Sequence, residues 1–218
     1  FGFLGPNGAG KSTTIRLLTG LCHPTSGRAT VLGLDPQIES VIVHRRIGYL
    51  PGELALHPRL TGQQHVDFIA RVRGLRDLTF VHELVERFDV DLGRPTRTLS
   101  KGNRQKIGIV LAVMHRPALL ILDEPTSGLD PLKQTEFEKL LQEVVAQGAT
   151  VFLSSHELAE VQRVVDRVAI IKDGRLVVTD TVEGIRRRAP RTVEFSFASP
   201  VDPRPFPSMP GVPFVPAT

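Results

Sequence analysis

Gly5-Pro6-Asn7-Gly8-Ala9-Gly10-Lys11-Ser12-Thr13 is the stretch that decides the fold, because it fits G-x-x-x-x-G-K-[ST]. Phe1-Gly2-Phe3-Leu4 before it reads as the end of a buried strand. After it, Ile15, Leu17, Leu18 and Leu21 recur at helical spacing, which predicts a helix over Ser12 to Leu21. Strand, glycine-rich turn and helix form the setting that a phosphate-binding loop requires. The glycines let successive backbone N–H groups converge on phosphate oxygens, and the helix N-terminus adds its positive dipole end. In that setting Lys11 reaches the β- and γ-phosphates and Ser12 ligates Mg²⁺. The plainer reading, a glycine-rich turn capping a helix, does not explain Lys-Ser at this spacing.

Outward from the loop, Gly27 to Leu34 is short, β-rich and bounded by Pro24, Gly33 and Pro36, which predicts antiparallel strands, and Ile47 to Leu50 reads as a further strand. Thr61 and Gln64 make a capping box ahead of a helix that Gly74 stops, and a second helix is predicted from about Thr79 to Phe88. With Asn103 to His115 they form a mostly helical insertion from roughly Pro51 to Arg116. Ala118 to Leu122 is a continuous apolar run of the kind found in a central parallel strand. A helix from Leu132 to Ala146, a strand from Ala149 to Leu153, a helix near Glu157 to Val165 and a hairpin turning on Asp173-Gly174 complete the alternation. The order predicts a layered α/β sheet.

The apolar run leads into Asp123-Glu124, so two carboxylates leave the C-terminal end of a buried strand, where ligands of parallel sheets gather. Neighbouring strand positions face opposite ways, which gives the two different tasks. Asp123 holds Mg²⁺ or its water, and Glu124 orients or deprotonates an attacking water. Ser154-Ser155-His156 follows the next apolar strand, bringing His156 to the same edge, able to bond a γ-phosphate or fix the water.

Taken in order, GPNGAGKST, LSKGN, LLILDEP, SGLD and SSH resemble the ATP-binding subunit of an ABC transporter, from Phe1 to about Thr181. The resemblance implies a RecA-like P-loop NTPase core with an antiparallel β subdomain and an inserted helical subdomain, an ATPase domain over 1–191 and a truncated C-terminal extension over 192–218. It also implies ATP and Mg²⁺ as cofactors and a head-to-tail homodimer or heterodimer with ATP at the interface. An integral-membrane permease would supply the transmembrane helices. Ser100, Lys101, Gly102 and Asn103 stand where the family carries LSGGQ and would contact the γ-phosphate held by the other subunit. Lys101 replaces a glycine and Asn103 a glutamine. Asp130 resembles the loop linking the two ATP sites, although its position before Pro131 also suits a helix cap. Gly52 occupies the place of a glutamine that ligates Mg²⁺ in the family, and Glu53 is expected to substitute, displaced by one residue. The family's adenine-stacking aromatic lies upstream of the phosphate loop. Phe1 and Phe3 are too close to Gly5 for that role, so weaker ATP binding than in a longer chain is expected.

GYLPGE and LSKGN look like bacterial drug- or antibiotic-export ATPases of the type-2 permease class. The resulting expectation is an ATPase at the cytoplasmic face of the cell membrane that powers export through a separate permease. The alternative from another class is a soluble ABC ATPase acting on ribosomes or DNA, and a third is an idle regulatory subunit, against which Lys11, Asp123, Glu124 and His156 argue together. Composition narrows the field further. Across 218 residues, 27 Lys and Arg against 23 Asp and Glu leave a net charge of +4, a weak signal for nucleic acid, and none is expected as a partner. The single cysteine, Cys22, excludes an intrachain disulfide. No apolar run reaches the roughly 20 residues a bilayer crossing needs. Lacking an initiating Met or a signal pattern, the sequence reads as a fragment that starts inside a strand. Val193, Phe195 and Phe197 alternate as the start of a C-terminal β-domain would, and Arg186-Arg187-Arg188 with Arg191 read as a solvated helix face.

Overall fold

A computed structural model describes residues 1–188. Strands β1 (Gly2–Leu4), β2 (Ile47–Leu50), β3 (Leu119–Asp123), β4 (Thr150–Ser155), β5 (Arg167–Lys172) and β6 (Arg175–Thr181) form one sheet in the order β2-β3-β4-β1-β5-β6. The neighbours from β2 to β5 run parallel, and β6 returns antiparallel to β5. Alternation along the strands sends side chains to two cores. On β3, Leu120 and Leu122 join the larger cluster, while Ile121 joins a smaller one with Ile15, Val43 and Ile47. Helices α1 (Lys11–Leu18) and α2 (Ser40–Arg46) supply the smaller cluster. Helices α3 (Gly62–Arg73), α4 (Thr79–Phe88), α5 (Lys101–Val113) and α6 (Pro131–Ala146) supply the larger.

The capping box of Thr61 and Gln64 forms, and Gly74 closes α3 at φ 67°. α4 has the predicted limits. Two helices are shorter than their periodicity suggests. α1 stops at Leu18, where the Thr19 hydroxyl and N–H both donate to the Ile15 carbonyl and Gly20 turns to φ 69°. The predicted helix over Glu157 to Val165 contracts to α7 (Leu158–Val161).

The strands expected over Gly27 to Leu34 do not form. Leu32 and Gly33 take φ 53° and 80°, a two-residue turn closed by mutual Val31–Leu34 backbone bonds, and the ladder ends at that single bridge. The segment is the tip of a hairpin without arms, and the antiparallel pairing lies instead in β5–β6. That hairpin turns on Asp173 and Gly174 as predicted, with φ 50° and 71°. It passes directly into α8 (Val182–Arg188), which carries the basic run from Arg186 on a helix as expected. Arg191, the alternation at Val193, Phe195 and Phe197, and the extension over 192–218 lie outside the described residues.

Gly48 shows why β2 and α5 can meet. A Cβ there would overlap the Ala112 carbonyl oxygen and crowd Leu120 and Pro117. With glycine in place, the backbones of β2 and α5 close together and bring the loop after Leu50 beside the end of β3.

Candidate functional site

The phosphate loop, Asp123, Glu124, His156, Gly52 and Glu53 gather at the C-terminal edge of the parallel strands. β1 feeds the phosphate loop, β3 delivers Asp123 and Glu124, β4 delivers His156, and β2 delivers Gly52 and Glu53. The loop is shaped by Gly8 and Gly10, at φ 80° and 109°, conformations that glycine adopts without a Cβ penalty. Gly10 stands as the N-cap of α1, no acidic residue lies in the first turn, and Ser12 and Thr13 are exposed. The positive end of the helix therefore faces the loop with no acidic side chain in its own first turn. From below, the β5–β6 turn supports the loop: Gly174 N–H donates to the Ala9 carbonyl, and a Cβ on Gly5 would strike the Ile171 carbonyl.

Lys11 is buried, its ammonium curled back over its own loop. It donates to the Gly5 carbonyl at 2.7 Å and the Pro6 carbonyl at 3.3 Å, and stands 3.3 Å from Glu124 Oε1. Glu124 adopts φ 49°, which turns it away from the direction of Asp123, and its other oxygen lies 2.8 Å from His156 Nδ1. Lys11, Glu124 and His156 thus form one chain of contacts drawn from three strand ends. Asp123 turns inward, buried, and accepts a bond from the Ser154 hydroxyl. Ser154 also accepts from Glu124 N–H at 3.2 Å, so one side chain fixes both carboxylate positions. Sequence order alone gives Ser154 no role; the signal that finds it is register, since Asp123 and Ser154 are paired on β3 and β4.

A cavity of about 400 Å³ is lined by Ser12, Arg16, Tyr49, Gly52, Glu53 and Asp123. A Cβ on Gly52 would stand 3.3 Å from Asp123 Oδ2, so the second oxygen of that carboxylate faces this loop. Burial and the nearby Asp123 charge push the Tyr49 phenol above its ordinary range, against the pull of Arg16. The donors are a hydroxyl and two carboxylates, hard oxygen ligands of the type that suits Mg²⁺. Among the described residues no group of three or more His, Cys, Asp or Glu could enclose a metal alone. That matches an ion held by one or two carboxylates and completed by substrate phosphates.

The second motif cluster is built on α5. The Ser100 hydroxyl caps the helix by accepting from Asn103 N–H at 3.1 Å, which leaves its own proton free to donate outward. Asn103 faces its own chain, Oδ1 accepting from Asp91 N–H at 3.1 Å and Nδ2 donating to the Asp91 carbonyl at 3.0 Å. The Lys101 ammonium donates to the Ser127 hydroxyl at 2.7 Å, and a Cβ on Gly102 would strike the Gly128 carbonyl. Buried Gln105 donates to the Pro125 carbonyl at 2.8 Å. The start of α5 and the loop from Pro125 to Asp130 are therefore locked together. Asp130 caps α6 by accepting from Lys133 N–H at 3.0 Å. Phe1 and Phe3 pack on Phe152 in the core, with ring centres 5.9 and 5.5 Å away.

Comparison with known proteins places these motifs in context. A family model described as "ABC transporter" matches residues 1–127. The bacitracin transport ATP-binding protein BcrA of Bacillus licheniformis is 36% identical, over 91% of this chain and 66% of its own length. The daunorubicin resistance ATP-binding protein DrrA3 of Streptomyces coeruleorubidus is 37% identical, over 85% of this chain and 60% of its own. The probable multidrug ABC transporter ATP-binding protein YbhF of Escherichia coli (strain K12) is 36% identical, over 87% of this chain and 33% of its own. The chain thus spans between about one third and two thirds of the length of these curated relatives. Among solved structures, an ATP-binding subunit of an ABC transporter superposes with a TM-score of 0.78 at 34% identity, covering 86% of this chain and 80% of that one. A dimeric ATP-binding cassette in a post-hydrolysis state, bound to ADP and Pi, shares the fold with a TM-score of 0.73 at 22% identity, over 83% of this chain and 84% of its own.

Proposed function

Because the chain belongs to the ABC transporter family, we propose that it is the ATP-hydrolysing subunit that powers export through a separate integral-membrane permease, working from the cytoplasmic face of the membrane. The observation that carries this reading is the Lys11–Glu124–His156 chain at the mouth of the phosphate loop. With ATP in the loop, backbone N–H groups from Gly5 to Thr13 and the α1 dipole hold the phosphates. Lys11 exchanges the Gly5 and Pro6 carbonyls for β- and γ-phosphate oxygens. Glu124, released from Lys11, accepts the proton of the attacking water, and His156 holds the γ-phosphate end in place.

Ser12, Asp123 and Glu53 are the residues that would hold Mg²⁺, which when bound neutralises charge building on the phosphate oxygens. Glu53 lies on the same cavity as the other two, and this supports its taking the place of the glutamine that Gly52 replaces. Ser100 and Gly102, at the N-terminus of α5, would serve the nucleotide of a second subunit, alongside Lys101. Asn103 contributes to that surface by pinning α5 to Asp91 rather than by touching phosphate. Asp130 then joins the two sites through the loop that α5 grips. The division into an ATPase domain over 1–191 with a helical subdomain over 51–116 follows the same reading.

Among the described residues no helix is long and apolar enough to cross a membrane. Between β2 and α3 lies a groove of about 570 Å³, lined mainly by apolar side chains including Leu54, Leu56, Phe68 and Leu111. It suits a short amphipathic helix of a permease. The relatives named for bacitracin, daunorubicin and multidrug transport favour drug or antibiotic export over ribosomes or DNA.

The test is phosphate release by Glu124→Gln. Binding groups stay while water activation is lost, so ATP is retained, the dimer accumulates, and turnover falls by about 10²-fold or more. Near-normal turnover would remove Glu124 from the role.

A further inference from the structure

Five of the ten large apolar side chains that stand exposed among the described residues lie on or beside two helices. Ile38, Val41 and Ile42 are 82%, 64% and 49% exposed, and Phe68 and Val72 are 61% and 67% exposed. On α2, Val41, Ile42 and Arg45 share one face, with Ile38 in the turn just before the helix and Val43 buried on the other side. On α3, Phe68, Arg71 and Val72 form the matching stripe, with Val66 and Ala70 buried behind it. Arg73 joins the two helices, donating to the His44 carbonyl at 3.1 Å and the Ile47 carbonyl at 3.4 Å.

The same faces are basic. Arg45, Arg46, Arg71 and Arg76 are exposed, and among the described residues none of them lies within ion-pair distance of a carboxylate. α2 carries no acidic residue. The acidic side chains nearby are engaged locally: Asp67 accepts from Gln63, Glu39 from Asp35 N–H and Asp77 from Thr79 N–H. Arginines in a last turn suit the helix dipole by themselves. The dipole gives no reason for a branched apolar side chain between them.

From this pairing of exposed apolar side chains and unpaired arginines we infer that the outer faces of α2 and α3 are a contact surface for an anionic lipid bilayer. Phe68 and Arg73 also line the groove between β2 and α3, whereas Ile38, Val41, Ile42 and Val72 do not, so the face starts at the rim of that groove and runs outward over both helices. An outward amphipathic face with arginines around apolar side chains fits the bilayer interface. The apolar groups enter the headgroup boundary while the guanidiniums meet lipid phosphates. The surface is distinct from the ATP site, so its test stands or falls separately from the hydrolysis proposed above.

The test is sedimentation of the full chain with phosphatidylcholine vesicles, with and without roughly one third phosphatidylglycerol. Binding is expected to be about tenfold or more tighter to the anionic vesicles and to fade as salt rises to about 0.5 M. The double variants Arg45→Glu/Arg71→Glu and Val41→Ser/Val72→Ser should each lose that binding while keeping the wild-type melting profile and ATP turnover. All four positions are exposed, so neither variant opens the core. Equal partition to neutral and anionic vesicles, or undiminished binding by either variant, overturns the inference. So does capture by an acidic peptide without any vesicle binding.

Discussion

Replacing Asn103 with alanine tests whether this side chain holds the protein together or touches nucleotide. Asn103 makes two bonds to Asp91, at 3.1 and 3.0 Å, using its oxygen as acceptor and its nitrogen as donor. Both span the joint between the loop after α4 and the start of α5, and both are partly buried. At about 1 kcal/mol net for each bond, the truncation costs on the order of 2 kcal/mol. In a domain of this size 1 kcal/mol moves Tm by about 2–4 °C, so a fall of roughly 4–8 °C is expected. Asn103→Gln, which restores the family's residue type, adds a methylene between backbone and amide and cannot keep both bonds in place. It should lose much of the same stability. Thermal unfolding by circular dichroism reads both. An unchanged Tm in Asn103→Ala, or a Tm raised by Asn103→Gln, would refute the structural assignment of this side chain.

Gly48→Ala should destabilise by about 1–3 kcal/mol or prevent soluble expression, because the added methyl meets the Ala112 carbonyl and two side chains; chemical denaturation reads the loss. His115 is held at a pKa of about 4 by burial first and by the Arg73 charge second, below its ordinary 6.5. The unfolded chain then binds the proton more tightly, so this contribution to stability is whole above pH 6.5 and fades as pH falls from there toward 4. His115→Asn should flatten that stretch of the stability–pH curve. Glu53→Ala should raise the Mg²⁺ concentration needed for half-maximal turnover by about tenfold, in line with the usual cost of weakening a metal's surroundings. Unchanged Mg²⁺ dependence would remove Glu53 from the ion's site.

Much of this architecture was legible because local and global signals agree. The capping box at Thr61 and Gln64, the glycine at 74 and the apolar run before Asp123 each specify one outcome, and each appears where expected. The failures have particular causes. Gly27 to Leu34 has strand composition, but the ladder stops at the one Val31–Leu34 bridge, and composition does not report whether an edge is available. The periodicity continuing to Leu21 does not register the side-chain bond of Thr19 that ends α1. At the site, the residue types and their meeting place were readable from order and spacing. The Asn103 clamp was not, because its partner, Asp91, is brought to it by the packing of α4 and α5. Ser154 was visible only as a neighbour of His156 until the β3–β4 register placed it against Asp123.

ATP hydrolysis at the Lys11–Glu124–His156 site is proposed to drive a membrane permease. Its most direct test is isolation of the chain from membranes with whatever accompanies it, identification of that material by mass spectrometry, and phosphate release measured with and without it, beside Lys11→Ala. A multi-helix membrane protein that stimulates turnover is expected, with no turnover in Lys11→Ala. Stimulation by ribosomes or DNA with no membrane partner, or turnover that survives loss of Lys11, would contradict it.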